Sequence, residues 1–161
     1  MSGYRYSTLK SAFGTFTLIA SDEGICTIQL GSAPQHFTAQ RDDEALRPYC
    51  EALQAYLDGQ TQLLALPLDI QAGTPLQRTV WNELRRIAFG STISYSELAR
   101  RCGKPNAVRA IASACGKNPL PLLIPCHRVL AKDGSLGGFS LGLALKKQLL
   151  ALEQASLNRA A

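Results

Sequence analysis

Apolar and polar positions alternate in short runs through the first third of the chain. Tyr4 to Lys10, Phe13 to Ala20 and Ile25 to Leu30 are rich in aromatic and β-branched residues, with turn-like Ser11-Ala12 and Ser21-Asp22-Glu23-Gly24 between them. That pattern predicts an antiparallel meander. The period then changes. From about Asp42 to Asp58, Leu46, Tyr49, Cys50, Leu53, Tyr56 and Leu57 recur at three- and four-residue spacing, and Gly59 follows as a C-terminal cap, which predicts a helix. Pro48 cannot donate a backbone N–H, so it is expected to mark the first turn of the regular part. Leu63 to Ile70 offers one more strand.

A second kind of pattern begins at Gly73, where a domain boundary is expected: residues 1–72 form one domain and 73–161 another. Thr74 as N-cap with Pro75 behind it signals a helix start, and Leu76, Val80, Trp81, Leu84 and Ile87 make one apolar stripe. Beyond Phe89-Gly90-Ser91 the chain reads as helical segments and Gly/Pro-rich loops, with little strand pattern. Ser94-Tyr95-Ser96-Glu97 has the form of a capping box. Cys102-Gly103-Lys104-Pro105 makes a turn, and a second helix starts near Asn106 and runs to Cys115. Two short helices about a Gly-containing turn form a helix-turn-helix pattern. The second helix is almost all small residues around one long cation, Arg109. Two readings stay open: a buried packing helix, or a helix that approaches another surface closely. The fold class expected is therefore an α/β domain with a short antiparallel sheet plus helix, then a mainly α domain.

Composition narrows the functional classes. The 161 residues are 46% hydrophobic and 18% charged, which argues against intrinsic disorder. No run approaches the roughly 20 apolar residues of a membrane span, and the N-terminal residues lack a secretory h-region, so a cytoplasmic protein is expected. The formal net charge of +5 is compatible with a polyanionic partner. Five cysteines without regular spacing argue against a disulfide framework. Only two histidines, His36 and His127, are present.

Chemistry concentrates in Asn118-Pro119-Leu120-Pro121-Leu122-Leu123-Ile124-Pro125-Cys126-His127-Arg128-Val129. A proline-bounded apolar run delivers Cys126 beside His127, and a glycine-rich loop from Asp133 to Ser140 follows. A thiol needs a base or a positive field to act as a thiolate at neutral pH. Neighbours in extended chain point to opposite sides, so a bridging water between His127 and Cys126 is expected in place of a direct bond. A carboxylate on the C-terminal helix would orient the base, and Glu153 is the last acidic residue. The alternative is a buried core cysteine.

The segment Ile124-Pro125-Cys126-His127-Arg128-Val129, preceded by Asn118-Pro119, resembles the active-site signature of the O6-alkylguanine-DNA alkyltransferases, or methylated-DNA–protein-cysteine methyltransferases. The resemblance runs from Gly73-Thr74-Pro75-Leu76-Gln77-Arg78-Thr79-Val80-Trp81 through Ile93-Ser94-Tyr95-Ser96-Glu97-Leu98-Ala99 to Lys146 and Leu149-Leu150-Ala151-Leu152-Glu153. It covers essentially the whole second domain. The first domain is similar in outline, which implies a ribonuclease H-like fold. The resemblance implies single, irreversible transfer of an alkyl group from O6 of guanine in double-stranded DNA, with O4 of thymine left open, onto Cys126. A monomer without cofactor would perform it.

It also implies residue roles. Cys126 would be the nucleophile in a Glu153–His127–water–Cys126 relay, with Asn118 holding the cysteine turn. Tyr95, the Cys126 and Val129 carbonyls, Phe139, the Ser140 N–H and Lys146 would surround the extruded base. The helix-turn-helix would enter the minor groove with Ser94, Tyr95, Ala107 and Ala110 at the surface and Arg109 filling the place of the flipped nucleotide. Cys115 would line the pocket. Two positions depart from the family pattern: Phe139 stands where tyrosine is common, and Leu141 stands where glycine is common and is expected to narrow the pocket. Cys26 and His36 lack paired ligand spacing, so no metal is expected. A non-catalytic lesion-binding protein is the alternative function, which the presence of Cys126 disfavours.

Overall fold

The computed structural model describes residues 3–32, 38–61 and 66–160, and they fall into two compact units, Met1–Gln71 and Ala72–Ala161. In the first unit, β1 (Tyr4–Ser11), β2 (Gly14–Ala20) and β3 (Ile25–Leu30) form the expected meander. Ser11 pairs with Gly14 across the first turn, so Phe13 belongs to the loop. Gly14 carries a positive φ of 116° there, a region that costs other residues a Cβ clash. The sheet also holds a strand that the sequence pattern did not predict. β4 (Ala39–Arg41) lies parallel to β1 on its free edge, giving the order β3-β2-β1-β4. The sheet is therefore mixed. Ala-Gln-Arg carries no strand pattern of its own, and pairing with β1 is what makes it extended.

The ladder continues into the helix that follows. The Asp42 N–H donates to Tyr6 O at 2.9 Å, and the Asp42 carboxylate accepts from Ala45 N at 3.0 Å. These bonds start α1 (Asp43–Leu57) upstream of Pro48, which lies inside the helix and not at its start. The Ser7 hydroxyl donates to Asp43 at 2.7 Å and fixes the first turn from β1. Leu46, Leu53, Tyr56 and Leu57 of α1 are buried, as are Phe16, Leu18, Ile19, Ile25 and Ile28 of the sheet. Of the strand expected over Leu63 to Ile70, one parallel bridge, Ile25 with Leu68, is present; residues 62–65 lie outside the described residues.

The second unit is mainly helical. α2 (Pro75–Leu84) opens on a complete capping box. Thr74 Oγ1 accepts from Gln77 N at 3.1 Å, and Gln77 Oε1 accepts from Thr74 N at 2.9 Å. Val80, Trp81 and Leu84 are buried, and Trp81 Nε1 donates to Ala114 O at 2.9 Å. α3 (Tyr95–Arg101) and α4 (Val108–Gly116) make the helix-turn-helix. Ser94 caps α3 by accepting from Glu97 N at 3.0 Å, but the return arm of the box is missing. Glu97 pairs with Arg100 at 2.6 Å and Arg101 at 3.1 Å, two cations that compete successfully for its carboxylate and hold it down to about 2. α4 starts at Val108, later than Asn106, and Ala107 gives no side-chain cap.

A short pairing that the sequence pattern did not announce joins this motif to the chemistry. β5 (Ile93–Ser94) and β6 (Val129–Leu130) run parallel, Ile93 against Val129 and Ser94 against Leu130. One strand ends in the cap of α3. The other follows a single 3-10 turn, Cys126–Arg128. The C-terminal helix, α5 (Leu143–Ala160), completes the unit.

Candidate active site

Every residue from Leu120 to Val129 is buried. The turn that delivers Cys126 is held by one side chain. Asn118 donates from Nδ2 to Ile124 O at 2.7 Å and accepts at Oδ1 from Leu120 N at 2.9 Å. Ile124 N closes the same turn on Leu120 O at 2.8 Å. Leu122, at its tip, has φ 80°, a left-handed conformation that a branched residue keeps only when its surroundings impose it. Asn118 supplies that constraint from both ends.

Cys126 and His127 sit in a 3-10 turn, not in extended chain. Successive side chains there diverge by about a third of a turn, so adjacency in sequence separates the two groups by a different geometry from the one expected. Both are buried, His127 completely. Its Nε2 lies 2.6 Å from Glu153 Oε2. Burial pushes the imidazole below its ordinary range, and the Glu153 carboxylate opposes that push.

Glu153 carries more than the histidine. Arg128 donates Nε to Oε1 at 2.9 Å and Nη2 to Oε2 at 3.0 Å, a bidentate pair, and Gly90 N donates to Oε1 at 3.0 Å. Arg128 Nη1 also donates to Ile87 O at 2.8 Å, and its guanidinium lies 5.5 Å from the centre of the Phe89 ring. Arg128 was absent from the sequence-based site. Its signal was available: a permanent cation inside an otherwise apolar buried run needs a buried carboxylate.

The Cys126 thiol faces a cavity of about 100 Å³ lined by Tyr95, Ala112, Cys115, Gly116, Gly138, Phe139 and Ser140. Four of the lining residues come from the helix-turn-helix: Tyr95 from α3, and Ala112, Cys115 and Gly116 from α4. Cys126 is held below the ordinary thiol range chiefly by the Cys115 side chain, then by Asn118 and the charge of Lys146, against the opposing effect of burial. Burial pushes Tyr95 up, so its phenol stays protonated. Its hydroxyl reaches Gly138 O at 3.4 Å. Gly137 must be glycine: its φ is 69°, and a Cβ there would stand 2.8 Å from the Tyr95 ring.

Lys146 stands behind the cavity, not in its wall. It is fully buried and donates Nζ to Val129 O at 2.6 Å, to Gly138 O at 3.0 Å and to Leu136 O. The loop that carries Phe139 and Ser140 is thereby pinned to the strand that follows Cys126. Val129 is also set back from the cavity, and its carbonyl is engaged by Lys146. The Cys126 carbonyl accepts from Val129 N. Each carbonyl keeps a second lone pair for another donor. Leu141 does not line the cavity, contrary to expectation; its neighbours Phe139 and Ser140 do. On the outer face of the motif Arg109 and Ala110 are exposed, and Ser94 and Ala107 are half-buried. Of the metal candidates, Cys26 is buried in β3 and His36 lies outside the described residues.

Residues 75–155 match the 6-O-methylguanine DNA methyltransferase DNA-binding domain, and residues 4–70 match the ribonuclease-like domain of the same proteins. The chain belongs to this methyltransferase family. A methylated-DNA–protein-cysteine methyltransferase of Mycolicibacterium paratuberculosis is 36% identical over 152 residues, covering 92% of each chain. The bifunctional transcriptional activator/DNA repair enzyme Ada of Escherichia coli is 41% identical over 160 residues, 92% of this chain and 45% of Ada. The chain therefore spans less than half the length of that relative. Among solved structures, the Mycobacterium tuberculosis O6-methylguanine methyltransferase superposes with a TM-score of 0.86 at 33% identity, covering 97% of this chain and 94% of that one. M. tuberculosis OGT in complex with DNA superposes equally well, with 96% and 94% covered. The ribonuclease-like and helical DNA-binding domains of the methyltransferase fold are both present.

Two predictions concern the buried network of this family member. Glu153→Gln leaves the Arg128 charge buried without its counter-ion and is expected to cost about 3–5 kcal/mol. Adding Arg128→Met should recover part of that loss, so a double-mutant cycle by urea denaturation should show non-additivity. Additive losses would mean that the pair is not coupled. For His127 the sign is set by its lowered folded-state pKa: the unfolded chain takes up the proton first. Its contribution is complete above the unfolded value of about 6.5 and declines as pH falls from there through the folded value. Unfolding free energies measured from pH 7.5 to 5 should fall with acid, and less steeply in His127→Gln.

Proposed function

We propose that this chain repairs alkylated DNA by moving the alkyl group from O6 of guanine to Cys126 Sγ, once per molecule. The observation that carries the reading is that α3 and α4 both wall the cavity in front of Cys126, while α4 also presents exposed Arg109. A surface suited to a phosphate backbone thus opens directly into the pocket of the activated thiol. The methylated-DNA–protein-cysteine methyltransferases among the relatives and the DNA complex of the M. tuberculosis protein support it.

The chemistry is a displacement at carbon. Cys126 gives up its proton through one water toward His127, whose Nε2 is occupied by Glu153, so that relay runs through Nδ1. The thiolate forms an S–C bond as the C–O6 bond breaks, and the electron pair leaves with the guanine oxygen. Tyr95, kept protonated by burial, supplies a proton to the departing base. A nucleophile cannot reach O6-linked carbon in line while guanine is stacked, so the nucleotide must leave the helix. The small residues of α4 permit close approach in the minor groove, and Arg109 fills the vacated position in the stack. Phe139 and the Ser140 N–H bound the extruded base, with Lys146 bracing their loop. The thioether product has no acceptable leaving group, so the protein acts as a single-turnover monomer on double-stranded DNA. The cytoplasm is its compartment.

Incubation with duplex DNA holding O6-methylguanine should add one methyl mass to the peptide bearing Cys126. Cys126→Ser should add none, while binding duplex within about threefold of the parent, because phosphate contacts dominate affinity. Methyl found on another cysteine would overturn the reading.

Arg109 allows a sharper separation. Arg109→Ala should lower the salt slope of binding by about one and slow single-turnover transfer from duplex, where extrusion costs a few kcal/mol. Transfer from free O6-methylguanine base should stay near normal. Arg109→Lys should restore the salt slope better than the rate, having charge without the flat guanidinium. Equal slowing of both substrates would make Arg109 structural.

A further inference from the structure

The cavity in front of Cys126 has two kinds of wall. In the reaction above, the groups assigned to the guanine base come from α3, the turn of Cys126 and the loop after β6: Tyr95, the Cys126 carbonyl, Phe139 and Ser140. α4 supplies the other wall with Ala112, Cys115 and Gly116, which share one helix face at i, i+3 and i+4. That face runs from floor to mouth: Cys115 is buried, Ala112 half-buried and Gly116 exposed. Apart from the Cys115 thiol, it offers no polar side chain to the edge of a base.

Small residues on a helix face ordinarily let a neighbouring element pack close. At Gly116 no element does. A Cβ there would meet no heavy atom within 4 Å outside its own stretch of chain, and its φ lies outside the left-handed region. Neither packing nor backbone geometry requires glycine at this position, so its smallness leaves open space at a wall of the thiol's cavity. Leu141, the residue expected to crowd the cavity, is absent from its wall.

We propose that Ala112 and Gly116 determine how large an alkyl group this chain can take from guanine. The proposal rests on the reading of Cys126 as the nucleophile. In a displacement at carbon the sulfur, the attacked carbon and O6 must be aligned, so a methyl group needs little room beside that line. The rest of a longer chain has to leave the line sideways. The base takes up the sides walled by Tyr95, Phe139 and Ser140, and the α4 face is the side that remains. An unbranched alkyl chain lies along Ala112 and passes Gly116 toward the mouth. Arg109 and Ser113 are exposed on the adjoining side of the same helix, so α4 both meets DNA and gauges the adduct.

The test measures single-turnover transfer of methyl and of n-butyl groups, each from the free O6-alkylguanine base and from duplex DNA, with thermal unfolding as the check on folding. The butyl-to-methyl rate ratio is the readout, because a change in docking or in thiol reactivity alters both groups alike. Gly116→Val and Ala112→Val should each lower that ratio by about ten- to a hundredfold, and Gly116→Ala by about threefold. Leu141→Ala, outside the cavity wall, should leave it within about twofold of the parent. An unchanged ratio in either folded valine variant overturns the proposal, as does a Leu141→Ala ratio raised by more than about tenfold. A parent that transfers methyl but no butyl overturns it too, since the open face would then receive no adduct. Should the valine variants not fold, Gly116→Ala decides, because alanine is a better helix former than glycine; an unchanged ratio there counts against. In each of these cases methyl transfer by the parent leaves the repair reading standing. No transfer of either group by the parent rejects that reading, and this proposal with it.

Discussion

A buried carboxylate with four donors organises the second unit. Glu153 projects from α5 and receives both arms of Arg128, the imidazole of His127 and the backbone N–H of Gly90. One ion thus joins the C-terminal helix, the turn of Cys126 and the loop after α2. Removing charges from water costs several kcal/mol per ion, and only multiple well-aligned bonds offset it. The geometry here meets that condition: bidentate contact from the guanidinium, a short bond from the ring, and a backbone donor. The consequence is positional. His127 cannot turn without breaking the Glu153 bond, and the 3-10 turn cannot shift without moving Arg128.

A second buried charge closes the other side of the site. Lys146 has no carboxylate partner among the described residues; it is held by three carbonyls, two of them in the loop that walls the cavity. Burial lowers its pKa, while the neighbouring thiols favour the charged form. Its ammonium and the sulfur of Cys126 therefore favour each other's ionised states in the buried interior. Strain sits in the left-handed Leu122 and is held by Asn118. The turn of Cys126 is thus held by Asn118 on one side and by Glu153, through His127 and Arg128, on the other.

The proposed DNA surface and this interior share elements. β5 ends in the Ser94 cap of α3 and pairs with β6, which follows directly from the turn of Cys126. α4 is tied to α2 by the Trp81–Ala114 bond. A load on the exposed face of the helix-turn-helix is thereby borne by the walls of the cavity, so docking and chemistry depend on the same packing.

Sequence alone determined the elements with strong local codes. The meander, α1, the Thr74-Pro75 start of α2 and the helix-turn-helix each follow from period, cap and turn residues. Cys126 was legible because a thiol beside histidine in a proline-bounded run has few ordinary uses. Tertiary structure decided the rest. β4 is extended only because β1 offers it an edge, and Pro48 is tolerated inside α1 because Asp42 and Ser7 fix the helix start from outside. The 3-10 turn at Cys126, the place of Arg128 on Glu153, the withdrawal of Leu141 from the cavity and the meeting of Cys115 and Cys126 at one cavity all involve residues distant in the chain or a turn set by Asn118. Local patterns record what a residue prefers. They do not record which buried charge or sulfur it will meet, because that is fixed by how separate elements pack.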